Sequence, residues 1–370
     1  MSHPTRALIE LGAIRGNVAL VRERAGVAVM AMVKAEGYGH GAVRAARAAV
    51  EGGAAWLGVA FVHEALELRR AGLEVPVLVG VTGLGDPFDE AVEQGIDLGV
   101  GAMWVLRELE RAAERTGRTA RVQLKADTGM TRGGATAEQW PVLVEAALKA
   151  EASGRVTVTG LWSHLACADE PTHPSVRGQV RAFAAAVEFA ERAGVRPEVR
   201  HLANSAAALT LPEARYDLVR PGIATYGLSP VPEFGDFGLR PAMTLTSTVA
   251  LAKRVGAGHG VSYGHAYVTS GETTVALVPA GYADGIPRNG SNVLELLAAG
   301  RRRRIAGRVC MDQFMIDLGD DAIEVGDEAV LFGPGDGGEP TAQDWAEATG
   351  TISYEIVTRI GSRVPRVYSE

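Results

Sequence analysis

The first part of the chain alternates short apolar runs with alanine-rich stretches. The apolar runs lie at 27–34, Ala54–Phe61, Pro76–Val81, Ile96–Val100, Ala120–Ala126, Val156–Ser163, Val199–Ala203 and Leu218–Ala224. Between them, helices are predicted near 42–51, 63–71, 87–94, 103–116, 137–151, 176–193 and 204–211. A continuous apolar run bounded by glycine or polar residues is the pattern of a strand buried on both faces, as in a parallel sheet. Eight such runs alternating with helices predict an α/β fold closed into a (β/α)8, TIM-like barrel, with an open doubly wound sheet as the alternative.

The pattern changes near residue 230. Ser229–Pro241 is rich in proline and glycine and reads as a linker. Beyond it, β-branched runs at Thr244–Ala252, Thr273–Pro279, Val293–Leu297, Ile305–Cys310, Phe314–Leu318 and Ala329–Phe332 predict a mostly β C-terminal domain. A late helix is expected from Thr341, where Thr341 and Asp344 have capping-box spacing. The division expected is a barrel over 1–235, with residues 1–10 available to pair with the second domain, and a β domain over 236–370. The run Arg301–Arg304, just after Gly300, reads as the solvated turn of a hairpin.

Composition narrows the setting. A chain of 370 residues predicts two domains, and 47% hydrophobic against 22% charged residues is a globular balance. A net charge of -7 argues against a nucleic-acid surface. Two cysteines, Cys167 and Cys310, cannot build a disulfide framework, so a reducing compartment fits. The N-terminal MSHPTRALIEL lacks the apolar segment of a secretory signal, and no apolar run is long enough to span a bilayer. A cytoplasmic location without membrane attachment is expected.

In a (β/α)8 barrel the chemistry sits at the C-terminal ends of the strands. The unusual polar residues fall there repeatedly: Lys34 ends the first run, Lys125, Asp127 and Arg132 end or follow the fifth, His164 ends the sixth, Asn204 and Ser205 end the seventh, and Arg220, Gly222 and Ile223 lie in the eighth. Each has an ordinary reading. Lys34 could snorkel to solvent, His164 could be a satisfied core histidine, Arg132 could be surface charge, and Ser205 could simply cap a helix. Their joint position favours a site. Ser205 at a helix start and Gly222 beside it predict a phosphate locus, and a lysine facing it predicts pyridoxal 5'-phosphate held through the amine. Metal has less support: the eight histidines form no HExxH, and the cysteines are far apart in sequence. Nucleotide loops of the GxGxxG or P-loop kind are likewise missing from the sequence.

With these residues assembled, the chain resembles the alanine racemases, fold-type III pyridoxal-phosphate enzymes. The likeness rests on VKAEGYGHG (33–41), KADTGMTRGG (125–134), WSHLACAD (162–169), NSAA (204–207), VRPGIATYG (219–227), VSYGHAY (261–267), GYADGIPR (281–288), GRVCMDQ (307–313) and SYEIVTRI (353–360), nearly the whole chain in order. Glu36-Gly37 departs from the Asn or Asp followed by Ala usual in the family, leaving Lys34 and Tyr38 in place. The resemblance implies a homodimer with shared active sites that interconverts L-alanine and D-alanine. Lys34 would hold the cofactor and act as base on one face, with Tyr263 of the partner subunit as base on the other. Tyr38, Ser205, Gly222, Ile223 and Tyr354 match phosphate-binding positions. Arg220 would face the pyridine nitrogen, and His164 would link it to Tyr263. Arg132 with Met311 of the partner subunit would hold the substrate carboxylate, Tyr282 would line the entrance, and Lys125 matches a lysine often carbamylated in the family, where it orients the arginine.

These residue types suit the chemistry. Racemisation needs one group to remove the α-proton and another to deliver one from the opposite side. A free phenol titrates at about pH 10, so a tyrosine base needs neighbours such as His164 and Arg220. Arginine does not readily give up a proton, so the ring nitrogen beside it stays unprotonated, which limits side reactions such as transamination. Two other readings compete. A barrel decarboxylase for a basic amino acid or diaminopimelate would share the cofactor and architecture but release carbon dioxide. A non-catalytic pyridoxal-phosphate carrier would have no use for 236–370. Tyr354, Tyr282 and Met311 leave little side-chain room, which favours alanine and leaves serine open. D-alanine for peptidoglycan is the expected product role.

Overall fold

A computed structural model describes residues 3–370, and the chain divides into two compact units. One comprises Ile14–Gly37 and Ala42–Leu239; the other gathers the chain up to Ala13, Tyr38–Gly41 and Arg240–Glu370.

The strands, numbered along the chain, begin with β1 (Arg6–Glu10), which belongs to the second unit. The first unit is the barrel: β2 (Ala28–Met32), β3 (Trp56–Val59), β4 (Val77–Val79), β5 (Asp97–Val100), β6 (Ala120–Lys125), β7 (Val156–Trp162), β8 (Val199–His201) and β9 (Leu218–Val219). All pair in parallel, in the order β8-β7-β6-β5-β4-β3-β2-β9. The ring is nearly closed where Asp217 N donates to Arg200 O (3.1 Å) and Arg220 N to Ala203 O (2.9 Å). Strands such as β3 and β4 are buried along their whole length, which is why they read as unbroken apolar runs, and β5 is equally buried although it begins with Asp97. Met30, Trp56, Leu78, Trp162 and Leu218 form one of the barrel's core clusters.

Each predicted helix between the strands is present, from Ala42–Glu51 to Ser205–Thr210. One more, Leu11–Ala25, precedes β2 and was not expected. Its buried stripe of Ile14, Val18, Val21 and Ala25 has helical spacing, but Gly12 and Gly16, poor helix formers, dilute the signal.

The second unit is mostly β: β10 (Met243–Thr248), β11 (Leu251–Val255), β12 (Gly260–Val261), β13 (Tyr267–Val268), β14 (Thr273–Val278), β15 (Glu295–Ala298), β16 (Arg301–Arg304), β17 (Phe314–Gly319), β18 (Glu328–Phe332) and β19 (Arg366–Ser369). A six-stranded sheet runs β16-β15-β18-β10-β1-β19, a three-stranded one β11-β14-β17, and β12 pairs with β13. In the larger sheet β1 lies antiparallel to β10 and parallel to β19. The helix Ala342–Thr349 has its capping box: Asp344 N donates to Thr341 Oγ1 (3.0 Å), and Thr341 N to Asp344 Oδ2 (2.9 Å).

Three expectations for this unit are corrected. The run Thr244–Ala252 breaks after Thr248, so that β10 and β11 join different sheets. Ile305–Cys310 is not a strand: only Ile305 makes a bridge, to Ile316, before Gly307 turns the chain. Arg301–Arg304 is not a turn but the edge strand β16, paired along its length with β15, while Ala299 and Gly300 make the turn. Four consecutive charges outweigh any alternation in the sequence, yet an edge strand tolerates them. Among the described residues no helix is long and apolar enough to cross a membrane.

Candidate active site

Lys34 stands just past the C-terminal end of β2, where the backbone turns left-handed. The φ angles of Ala35, Glu36, Gly37 and Tyr38 are 52°, 55°, 59° and 53°. Three of these are not glycine, and each such residue costs roughly 1–2 kcal/mol in this region. Part of that is offset by Glu64, whose Oε1 accepts from Ala35 N at 2.7 Å while Oε2 accepts from Ala60 N and Phe61 N at 2.8 and 2.9 Å. A hydrogen bond to a charged group contributes about 1.5–3 kcal/mol, so the turn is held but remains strained. Strain of this kind collects where geometry serves function. Burial and, less strongly, the charge of Arg132 lower the pKa of the Lys34 amine, with Glu64 opposing. That favours a neutral, nucleophilic amine.

Arg220 crosses the barrel interior, 4% exposed. Its Nη1 donates to His201 Nδ1 (2.8 Å), and its Nη2 to Ser163 O (2.8 Å), His164 Nδ1 (3.1 Å) and Leu202 O (3.2 Å). All four acceptors are neutral. Because a guanidinium can only donate, both histidines are fixed with the proton on Nε2. Burial pulls Arg220 down to about 9, still protonated at neutral pH. His164 is held well below its usual range by burial and then by Arg220, Arg132, Lys125 and Lys34, so it stays neutral. Among the described residues Nε of Arg220 has no protein acceptor, which leaves it to a ligand.

Lys125 ends β6 with Nζ 4.4 Å from the Trp162 ring centre; the Arg220 guanidinium lies 5.3 Å from the same ring. Burial, then Arg132 and Arg220, bring Lys125 down to about 8. Lys34, Lys125, Arg132 and Arg220 thus make an electropositive cluster in a chain of net charge -7. Beside it, Ser205 Oγ accepts from Gly222 N (2.8 Å) and Ala224 N (3.3 Å). Asn204, not Ser205, caps the helix, accepting from Ala207 N at 3.1 Å. The Ser205 hydroxyl proton is therefore available, and Ile223 N–H, buried at the start of a one-turn 3-10 helix, has no protein acceptor among the described residues. A hydroxyl and an unclaimed N–H beside four cations suit a phosphate dianion, and the nearby lysine suits its aldehyde. The residues present fit pyridoxal 5'-phosphate.

Five of the expected residues belong to the second unit. Tyr38 is buried and its ring centre lies 6.2 Å from that of Tyr354; burial and Tyr354 raise the Tyr38 hydroxyl above its usual range, which keeps it a donor. Gly39 is required here, since a Cβ at its φ of +82° would sit 2.3 Å from Val357 O. Tyr282 and Met311 are joined by backbone bonds from Tyr282 N to Cys310 O and Ala283 N to Met311 O, each 3.0 Å. Tyr263 is 71% exposed beside a groove of ≈ 520 Å³ bordered by His265, Cys310 and Met315. It follows Ser262, whose φ of 63° and ψ of -173° are rare outside glycine. Ser262 Oγ donates to Arg308 O at 2.7 Å and fixes that turn. Among the described residues no group of three His, Cys, Asp or Glu side chains is arranged to hold a metal ion.

Sequence reasoning missed Glu64 and His201. Glu64 works with Phe61 at the helix start, where no Ser or Thr advertises a cap. His201 sits inside an apolar run, and a polar residue within a doubly buried strand was the available signal.

The comparisons with known proteins agree along the whole chain. The family model for the alanine racemase N-terminal domain matches residues 9–230, and that for the C-terminal domain matches 242–368. Alanine racemase of Thermobifida fusca is 59% identical over 370 residues, covering 100% of this chain and 99% of that protein. That of Frankia casuarinae is 60% identical over 366 residues, covering 98% and 95%. The crystal structure of alanine racemase from D-cycloserine-producing Streptomyces lavendulae superposes with a TM-score of 0.99 at 58% identity, covering 100% of this chain and 98% of that one. A strained lysine turn, a buried guanidinium among neutral acceptors and full-length likeness converge: the chain belongs to the alanine racemase family.

Proposed function

We propose that this protein interconverts L-alanine and D-alanine, using pyridoxal 5'-phosphate and working as a homodimer with shared sites. The observation that carries this reading is the barrel mouth, where Lys34 faces a cationic cluster and Arg220 is held by neutral acceptors. Bound at Nζ of Lys34, the cofactor supplies the electron withdrawal that acidifies the substrate Cα–H. Ser205, Gly222 and Ile223, with Tyr38 and Tyr354, would hold its phosphate, and Arg220 would donate to its ring nitrogen without giving up a proton.

Lys34, its amine pKa lowered by burial, takes or returns the α-proton on one side. Tyr263 of the partner subunit serves the other. His164, fixed with its proton on Nε2, donates toward that phenol oxygen and favours its deprotonated form. Arg132, with Met311 of the partner subunit, holds the substrate carboxylate, and Tyr282 narrows the entrance. Lys125, at about 8, has enough neutral amine near pH 7–8 to take up carbon dioxide; the carbamate reverses its charge and orients Arg132. The exposed face around Tyr263 supports a partner that covers it. Two free cysteines fit a cytoplasmic enzyme, and peptidoglycan synthesis is the natural consumer of its product.

Chiral separation of alanine after incubation from either enantiomer is the test, with the cofactor present. Convergence of both reactions on a near-equal mixture is expected, and serine run in parallel bounds specificity. Optically unchanged alanine together with carbon dioxide release from another amino acid would replace this reading with the decarboxylase.

A further inference from the structure

Arg220 is held by His201, and His201 is itself held from deeper in the barrel. His201 Nε2 lies 2.7 Å from Gln123 Oε1, and Gln123 Nε2 donates to Asp97 Oδ1 at 3.2 Å. Asp97, Gln123 and His201 are all fully buried. Asp97 Oδ1 also accepts from Thr159 Oγ1, while Oδ2 accepts from Arg121 Nε at 2.9 Å. The chain Asp97–Gln123–His201–Arg220 therefore runs from the start of β5 through β6 and β8 to β9's end.

We propose that Asp97 and Gln123 are positioning residues that hold His201 in its Nε2–H form and, through it, hold Arg220 where the cofactor's ring nitrogen binds. The proposal rests on the reading of Arg220 given above. Two independent constraints demand the same proton placement. From one end, Arg220 can only donate, so His201 Nδ1 must be a bare acceptor and Nε2 must carry the proton. From the other, a carboxylate can only accept, so the Gln123 amide nitrogen must face Asp97 and its oxygen must face His201. A flipped amide would set oxygen against carboxylate oxygen, and a second donor against the imidazole. Burial and the charge of Arg220 keep His201 uncharged. Trp162 stacks on His201, with ring centres 5.8 Å apart and planes 16° apart, which fixes the ring plane as well.

Substitution of Asp97 by Asn removes the asymmetry. An amide at 97 cannot present an acceptor to Gln123 and also satisfy Arg121 on both sides, so Gln123 loses its single orientation. Removing Arg121 instead weakens an ion pair and leaves the Gln123 contact in place. Arg121→Gln is therefore the control for a merely structural role.

The experiment is 15N NMR of the full-length, cofactor-loaded protein labelled at histidine and arginine, with the His201 and Arg220 signals assigned by their loss in His201→Phe and Arg220→Lys and compared with the cofactor-free protein. In the unsubstituted protein one bare and one protonated nitrogen are expected, unchanged down to about pH 5. Asp97→Asn should give a mixture of proton placements and lower kcat roughly 10-fold or more with little change in KM. Arg121→Gln should lower Tm and leave both readouts as they were. Gln123→Met, which spares the Asp97–Arg121 pair, should lower kcat as well. A proton on Nδ1, a doubly protonated His201, Asp97→Asn behaving like Arg121→Gln, or undiminished kcat in Gln123→Met would each overturn the proposal. The underlying reading fails separately: the expected His201 form with Arg220 side-chain signals indifferent to pyridoxal phosphate would keep the relay and refute the placing of Arg220.

Discussion

The barrel mouth and the C-terminal loop bearing Tyr263 share strained backbone but differ in what surrounds it. The turn after Lys34 has successive left-handed residues tied down by Glu64, and its neighbours His164, His201 and Arg220 are already paired with one another. The loop at Ser262–His265 is also strained, with positive φ at Ser262, Gly264 and His265, yet it presents Tyr263 to solvent, with Met311 53% and Tyr282 44% exposed. One region is completed within the chain. The other is an exposed surface, which the proposed function assigns to a partner subunit. The two bases proposed for opposite sides of the substrate thus come from regions with different needs.

The largest effects separate the two regions directly. Lys34→Ala should abolish racemisation, by at least about 10⁴-fold, and lose the absorbance of bound cofactor. Tyr263→Phe should cost about 10²–10⁴-fold while keeping that absorbance. If the sites are shared, mixing and reassociating the two inactive chains should regain roughly a quarter of native activity, since half of the dimers are mixed and each holds one intact site. Activity that never rises on mixing would break the comparison by placing both bases in one chain.

Next in size is Gly39→Ala. Its Cβ would meet Val357 O at 2.3 Å with φ held at +82°, so a loss of about 2–4 kcal/mol is expected in thermal unfolding. A loss below 1 kcal/mol would mean that the turn yields.

A smaller effect follows from Lys125, held at about 8 against an ordinary 10.5. Between those pH values the unfolded chain binds a proton that the folded chain does not, so this group makes stability rise with pH across the window. Lys125→Met should flatten that rise in unfolding curves taken from pH 8 to 10.5. The smallest effect concerns Glu36, exposed at φ 55°. Asparagine tolerates that region better, so Glu36→Asn should gain a few tenths of a kcal/mol. The departure at Glu36-Gly37 redistributes strain: the costlier residue at 36 is accompanied by glycine at 37, where a left-handed φ is free.

Where burial imposed a period, the fold was legible in the sequence. Most barrel strands are buried on both faces, so largely apolar runs revealed them, and motif order at their ends pointed to Lys34, His164, Ser205 and Arg220. What escaped notice had no periodic signature. The left-handed turn at 35–38 depends on a carboxylate 29 residues away, and the Asp97–Gln123–His201 chain crosses strands that are distant in sequence. Leu11–Ala25 was hidden by its glycines, and Ile305–Cys310 looked like a strand because its apolar residues pack without pairing. Asn204 and Ser205 were both visible, but only the structure shows that Asn204 caps the helix while Ser205 Oγ accepts from Gly222 N.

The edge strand β16 has a consequence for how the protein behaves when crowded. Arg301, Arg302 and Arg304 are paired with Asp321, Asp344 and Glu295, and Arg303 also reaches Asp321. A strand from another molecule that tried to extend the six-stranded sheet here would have to strip water from those charges and break their pairings. The sheet is thereby stopped from growing into a filament.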